Sequence, residues 1–145
     1  MLCTLDDAIQ FLHDAAEQTI TKQAPDGSLA PGHNGPHGDR ETPVRNTAHW
    51  LYTLCWLVEH GQNRWKTAAN LAADFLISES ARSGNHSFLC RLESGKDTSN
   101  GLIGQAWVLE SLLKASEILC RDDCNRVAVE VYYHHKWSNS HSAWH

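Results

Sequence analysis

A single pattern occurs twice in this chain: a long polar loop rich in Gly, Asn and His, followed by a helix with almost no polar face. The first copy is DGSLAPGHNGPHGDRETPVRN followed by TAHWLYTLCWLVEH. The second is ARSGNHSFLCRLESGKDTSN followed by GLIGQAWVLESLLKASEIL. A helix without a polar face is expected to be buried on every side. Each loop feeds the leading end of such a helix, so both loops are expected at one end of a helical stack, and function is expected there.

The other segments read as companions to these two rods. Thr4 and Asp7 have capping-box spacing, and Leu5, Ala8, Ile9, Leu12, Ala16 and Ile20 repeat at helical intervals, which predicts an amphipathic helix over 5–20. Residues 21–45 hold Pro25-Asp26-Gly27, Pro31-Gly32, Gly35-Pro36, Gly38 and Pro43, a loop longer than ordinary connections. The second helix is expected from Asn46 or Thr47 to His60. Gly61 then ends it, and a very short connection leads to a third, amphipathic helix over 64–80, which makes an antiparallel hairpin. Residues 81–100 form the second long loop, with a short strand or hairpin arm at 87–92. A fourth helix runs from Gly101 or Leu102 to Leu119, mostly buried, with a narrow polar stripe of Glu110, Lys114 and Glu117. Residues 126–137 read equally as a fifth helix or, through Val127, Val129 and Val131, as a strand. The tail 138–145 is expected to be disordered. The inner helices begin about 54 residues apart, Asn46 matching Asn100, which is the period of a helical-hairpin repeat. The fold class is therefore all-α, a single domain of antiparallel helical hairpins over 1–145.

Composition excludes several functions. The formal charge is −5 with no basic stripe, which argues against nucleic acid. No apolar run is long and clean enough to span a bilayer, and the N-terminus lacks the basic segment of a signal peptide. Five cysteines, an odd number, with Cys55 among apolar neighbours, suggest a reduced cytoplasmic protein rather than a disulfide framework. Cys120 and Cys124, followed by His134, His135, His141 and His145, are zinc-compatible ligand types without the spacing of a standard finger. No metal or cofactor is expected. No nucleophile elbow, P-loop or dinucleotide fingerprint occurs.

Three motifs carry a resemblance. Gln23-Ala24-Pro25-Asp26-Gly27-Ser28 is similar to the Q-x-x-D-G-S-W turn of terpene-cyclase-like toroids, with Leu29 in place of Trp. Thr42-Pro43-Val44-Arg45-Asn46-Thr47-Ala48-His49-Trp50 and Asn100-Gly101-Leu102-Ile103-Gly104-Gln105-Ala106-Trp107 look like inner-helix starts of six-hairpin glycosidases and sugar epimerases. Over about residues 1–120 the chain thus resembles part of an (α/α) toroid, although it holds at most three of about six hairpins. A partial array exposes an apolar inner face, from which a homodimer is expected.

The resemblance implies a saccharide ligand and acid/base residues on the loops before the inner helices. Those loops supply Asp26, His33, His37, Asp39, Arg40, Glu41 and Arg45, then His86, Arg91, Glu93, Lys96 and Asp97. Glycoside hydrolysis needs two carboxyl groups, and epimerisation needs a base and an acid that exchange a proton. The candidates for proton transfer are His49, Asp39 and Asp97. Those for substrate binding are Arg45, which suits a carboxylate, Trp50 and Trp107, which suit stacking on a sugar ring, and Gln105, whose amide on an apolar face requires a partner. The loops around 33–50 and 86–107 would form the cleft. Against these stand plainer readings. Asp26 is turn chemistry, Asp39-Arg40-Glu41 a solvated charge cluster, Asp97 a helix cap, and the tryptophans and His49 core. The function read here is a hydrolase or epimerase on a sugar or uronic acid. The alternative is a non-catalytic, self-associating or ligand-binding scaffold.

Overall fold

A computed structural model describes residues 4–32, 38–84, 86–135, 137–140 and 143–144. Among them are five α-helices: α1 (Leu5–Ile20), α2 (Pro43–Glu59), α3 (Lys66–Ile77), α4 (Gly101–Leu119) and α5 (Asp122–His134). Two two-residue hairpins accompany them. β1 (Arg82–Ser83) pairs with β2 (Ser87–Phe88), and β3 (Trp137–Ser138) pairs with β4 (Ala143–Trp144). The protein is all-α, as the periodicity requires. The rest of the tail, with His141 and His145, lies outside the described residues, as do His33 and His37.

Local chemistry explains the helix boundaries. At α1 the Thr4 hydroxyl accepts from the Asp7 amide at 3.1 Å, and the Asp7 carboxylate accepts from the Thr4 amide at 2.9 Å. Each satisfies an N–H that the first turn leaves open. α2 begins three residues before the sequence expectation. Pro43 does not break it but occupies its first turn, where no N–H is missed, and Thr42 caps it by accepting from the Val44 amide at 3.2 Å. α5 resolves the ambiguity of the valines. Cys124, Val127, Ala128 and Val131 are buried at i, i+3, i+4 and i+7, so helical spacing overrides β propensity.

α2 and α4 are central and parallel. Arg45 and His49 of α2 meet Trp107 of α4, and ten residues further along α2 Glu59 accepts from Lys114 at 2.9 Å. α1 and α3 flank α2, while α5 folds back along α4 and also touches α3. The core comprises Val44, Ala48, Leu51, Leu54, Cys55, Leu57, Ala69, Ala72, Leu76, Val108, Leu112, Ala115 and Val131 with their neighbours. Each fully buried leucine contributes about 1.5–3 kcal/mol of transfer free energy.

The expectation that α2 is buried all round is corrected, and α4, expected to open only along Glu110, Lys114 and Glu117, is open over a wider stripe. α2 leaves a stripe of Arg45, His49, Tyr52, Trp56 and Glu59 open or half-open, and α4 leaves Ile103, Ala106, Glu110, Leu113 and Glu117 exposed. Both stripes follow helical spacing, and three flanking helices are too few to surround two central ones. Among the described residues, no helix is long and apolar enough to cross a membrane.

Candidate functional site

Backbone hydrogen bonds join the two loops at the leading ends of α2 and α4. The Leu92 amide donates to the Arg40 carbonyl at 2.7 Å, and the Thr42 amide to the Cys90 carbonyl at 3.2 Å. Glu41 and Arg91 form an antiparallel bridge, and the Thr42 hydroxyl donates to the Leu89 carbonyl. The first loop is also anchored inward. Asp26 accepts from the Ser28 amide and hydroxyl at 3.0 and 2.7 Å. The buried Leu29 amide donates to the Thr47 hydroxyl at 2.9 Å, and Asn46 donates to the Ala30 carbonyl at 2.6 Å.

One row of side chains crosses this end. Glu41 accepts from Arg45 Nη2 at 2.7 Å. The Arg45 guanidinium lies 5.7 Å from the Trp107 ring centre, and the His49 ring lies 5.2 Å from it at 54°. Arg45 and His49, four residues apart, share one face of α2, and Glu41, in the bridge just before the Thr42 cap, reaches Arg45 from the loop. The Glu41 side chain is only 4% exposed, and its second carboxylate oxygen is buried without a protein partner. A buried charged oxygen of that kind is costly unless a donor meets it.

His49 is exposed rather than sealed in the core. Loss of water around the part of the ring against the protein, reinforced by the Arg45 charge, still lowers its pKa below the ordinary 6.5, against an opposing pull from Glu110. The imidazole is therefore neutral at pH 7. As pH falls below 6.5 the unfolded chain takes up a proton that folded His49 refuses, so this residue makes stability decline toward acid until its folded pKa is passed. An NMR titration of the imidazole carbons is expected to give a midpoint below 6.5. A midpoint above it would contradict the desolvation.

The remaining candidates are committed to other partners. Asp39 and Glu41 do not form a solvated cluster. The Asp39 side chain, 5% exposed, takes ion pairs from Lys96 and, at 3.3 Å, from Arg91. The Lys96 hydrogen bond, with help from Arg91, holds its carboxyl below the ordinary carboxylate value. Asp97 accepts from the Ser99 amide and hydroxyl and, at 2.6 Å, from the Gly101 amide, which fastens the start of α4. Partial burial works against its ionisation, but those donors outweigh it and the pKa is lowered. Gln105, 1% exposed, is fully satisfied. It accepts from the Phe88 amide at 2.7 Å and donates to the Phe88 and Ser99 carbonyls at 3.0 and 2.8 Å. The partner its amide requires is therefore loop backbone. Trp50 is half-buried against the core. The buried Cys90 thiol is pushed up to about 12 by desolvation, which makes it a poor nucleophile.

The space around α4 is also arranged differently from the expectation. Within the row His49 is open to solvent, Trp107 is half-buried, and Arg45 and Glu41 are largely covered. On the opposite flank of α4, a cleft of about 240 Å³ is lined by Leu102, Gln105, Ala106, Leu109, Tyr132 and His135. Glu41 was counted among the acid/base residues of the first loop and, in the plainer reading, as part of a solvated charge cluster; its i−4 spacing to Arg45 was the signal that pairs the two.

The class defined so far is an all-α protein of parallel central helices whose entry loops share one end. No family model matches the chain, and no solved structure matches it. It is similar to the protein called archaeal glycosylation protein Q in Haloferax volcanii, with 43% identity over 135 residues, or 92% of this chain and 36% of that protein. The chain therefore spans little more than a third of the length of the curated relative it matches.

Proposed function

We propose that the chain is a sugar-recognising part of a carbohydrate-active protein of the six-hairpin type, a hydrolase or epimerase acting on a sugar or uronic acid. The observation that carries this reading is the row Glu41–Arg45–Trp107–His49. Trp107 offers an aromatic surface to the apolar side of a sugar ring. Arg45 offers a guanidinium fork to a uronate carboxylate. The buried Glu41 carboxylate holds Arg45 by its other oxygen and so orients the guanidinium. His49, neutral at pH 7, is the proton acceptor of the row. The name of the relative, a glycosylation protein, points to the same class of ligand.

A second reading, a non-catalytic ligand-binding scaffold, is favoured by Asp39, Asp97 and Gln105 being engaged within the protein. Calorimetry and saturation-transfer NMR of the full chain with glucuronate, galacturonate and glucose test the proposal. Uronate is expected to bind, and Arg45→Ala to weaken it about tenfold or more, as loss of a charge-assisted hydrogen bond does. Unchanged uronate affinity in Arg45→Ala, or no saccharide binding, overturns it. Turnover of aryl uronides, or deuterium uptake into the sugar in heavy water, separates the enzyme from the scaffold.

A further inference from the structure

A second group of ligand-type side chains lies away from the row. His86 is in the turn between β1 and β2, and His134 is the last residue of α5. Their Nδ1 and Nε2 atoms are 3.1 Å apart and their ring centres 4.2 Å apart, at an interplanar angle of 62°. Both residues are exposed. The grouping of His134 with Cys120 and Cys124 is corrected here. Cys124 is buried at the start of α5, a helix length away from His134.

One hydrogen bond between the rings accounts for the distance, and the same spacing suits a metal. Two nitrogens each about 2.0–2.1 Å from one ion, as in zinc–histidine bonds, stand 3.1 Å apart when the angle at the metal is roughly 100°. That angle lies between octahedral and tetrahedral values.

The hairpin that carries His86 is tied to its neighbours, α5 among them. Gln105 holds β2 by both polar groups of Phe88. Arg82 of β1 donates to the Ile77 carbonyl at 3.1 Å and faces Glu130 of α5 at 3.8 Å. The contact between the two rings brings them together before any ion arrives, which lowers the entropic cost of chelation. Glu130 itself is engaged by Arg82 and Arg126, and among the described residues no third His, Cys, Asp or Glu completes a cluster. An ion held there would complete its coordination with water.

We infer that His86 and His134 bind one divalent transition-metal ion of the kind that favours imidazole, zinc, nickel or copper, and that the ion pins the β1–β2 hairpin to the end of α5. Magnesium and calcium, which take oxygen ligands, are not bound there.

The full chain without an affinity tag, stripped with chelator, is titrated with zinc chloride by calorimetry and by imidazole-resolved NMR. One equivalent is expected to bind with Kd below about 1 mM, to move the His86 and His134 resonances together, and to raise the melting temperature. His86→Ala and His134→Ala are each expected to weaken binding about tenfold or more and to abolish the melting shift, while leaving the metal-free melt unchanged. His141→Ala with His145→Ala is expected to leave binding intact. Zinc affinity that survives His86→Ala, that disappears with the tail histidines, or that is absent below about 1 mM overturns the inference.

Discussion

Gly27→Ala is expected to destabilise the chain by about 4 kcal/mol or more, which is exceptional for one added methyl group. Gly27 has φ +88°, in the left-handed region. A Cβ there would lie 1.9 Å from the Leu71 carbonyl oxygen and 2.4 Å from its carbon. These are backbone atoms in the middle of α3, so no side chain can move aside. The turn is also held on its other side. Gln23 donates to the Gly27 carbonyl at 2.9 Å and to the Ala68 carbonyl at 3.0 Å, which fastens the turn onto α3. Relieving the clash would pull Leu29 from the core and its amide from Thr47. Gly61→Ala is the control. Gly61 has φ +87°, but its Cβ would meet nothing within 4 Å, so only the left-handed strain of about 1–2 kcal/mol applies. Urea denaturation of both variants checks the difference. Equal midpoints would show that the turn does not press on α3.

Gln105→Leu is the second large effect, expected at about 3 kcal/mol or more. Leucine keeps most of the volume at a site where packing matters, so the cost comes from the three groups it abandons. The Phe88 amide, the Phe88 carbonyl and the Ser99 carbonyl each lose a partner in a buried place. An unsatisfied buried group costs about 1–3 kcal/mol. Gln105→Glu is expected to be as damaging, because a carboxylate brings no donor for the two carbonyls. Thermal and urea melts check this. A loss below about 1 kcal/mol would mean that the amide does not bind the second loop to α4.

How far these features were legible follows from how local they are. The start of α1 depends on two side chains three residues apart, and the reading of 5–20 matches the helix. The start of α2 was misread because Pro43 was counted as a breaker, although a proline in a first turn costs nothing. Glu110 and Glu117 marked part of the open stripe of α4, but the stripe of α2 and the rest of that of α4 were hidden because Tyr52, Trp56, Ile103 and Leu113 count as apolar in a sequence pattern, and apolarity alone does not say what covers a side chain. Gln105 was rightly read as needing partners. Those partners are backbone atoms of residues 88 and 99, and no side-chain pattern marks them. Asp39 looked like a solvated charge beside Arg40 and Glu41. Its ion pairs reach 52 and 57 residues along the chain, to Arg91 and Lys96, and depend on a loop closure that only the folded molecule shows.

The ties between the two entry loops restrict how a protein of this design can change. Arg40 and Thr42 are joined to Leu92 and Cys90 through main-chain atoms, which no side-chain replacement removes. Lengthening either segment by one residue would shift the alternation of the facing segment and turn Glu41 away from Arg45. New ligand preferences would therefore have to arise through exchanges at fixed length, or through coordinated insertions in both segments, so that one half of this surface cannot diversify while the other stays as it is.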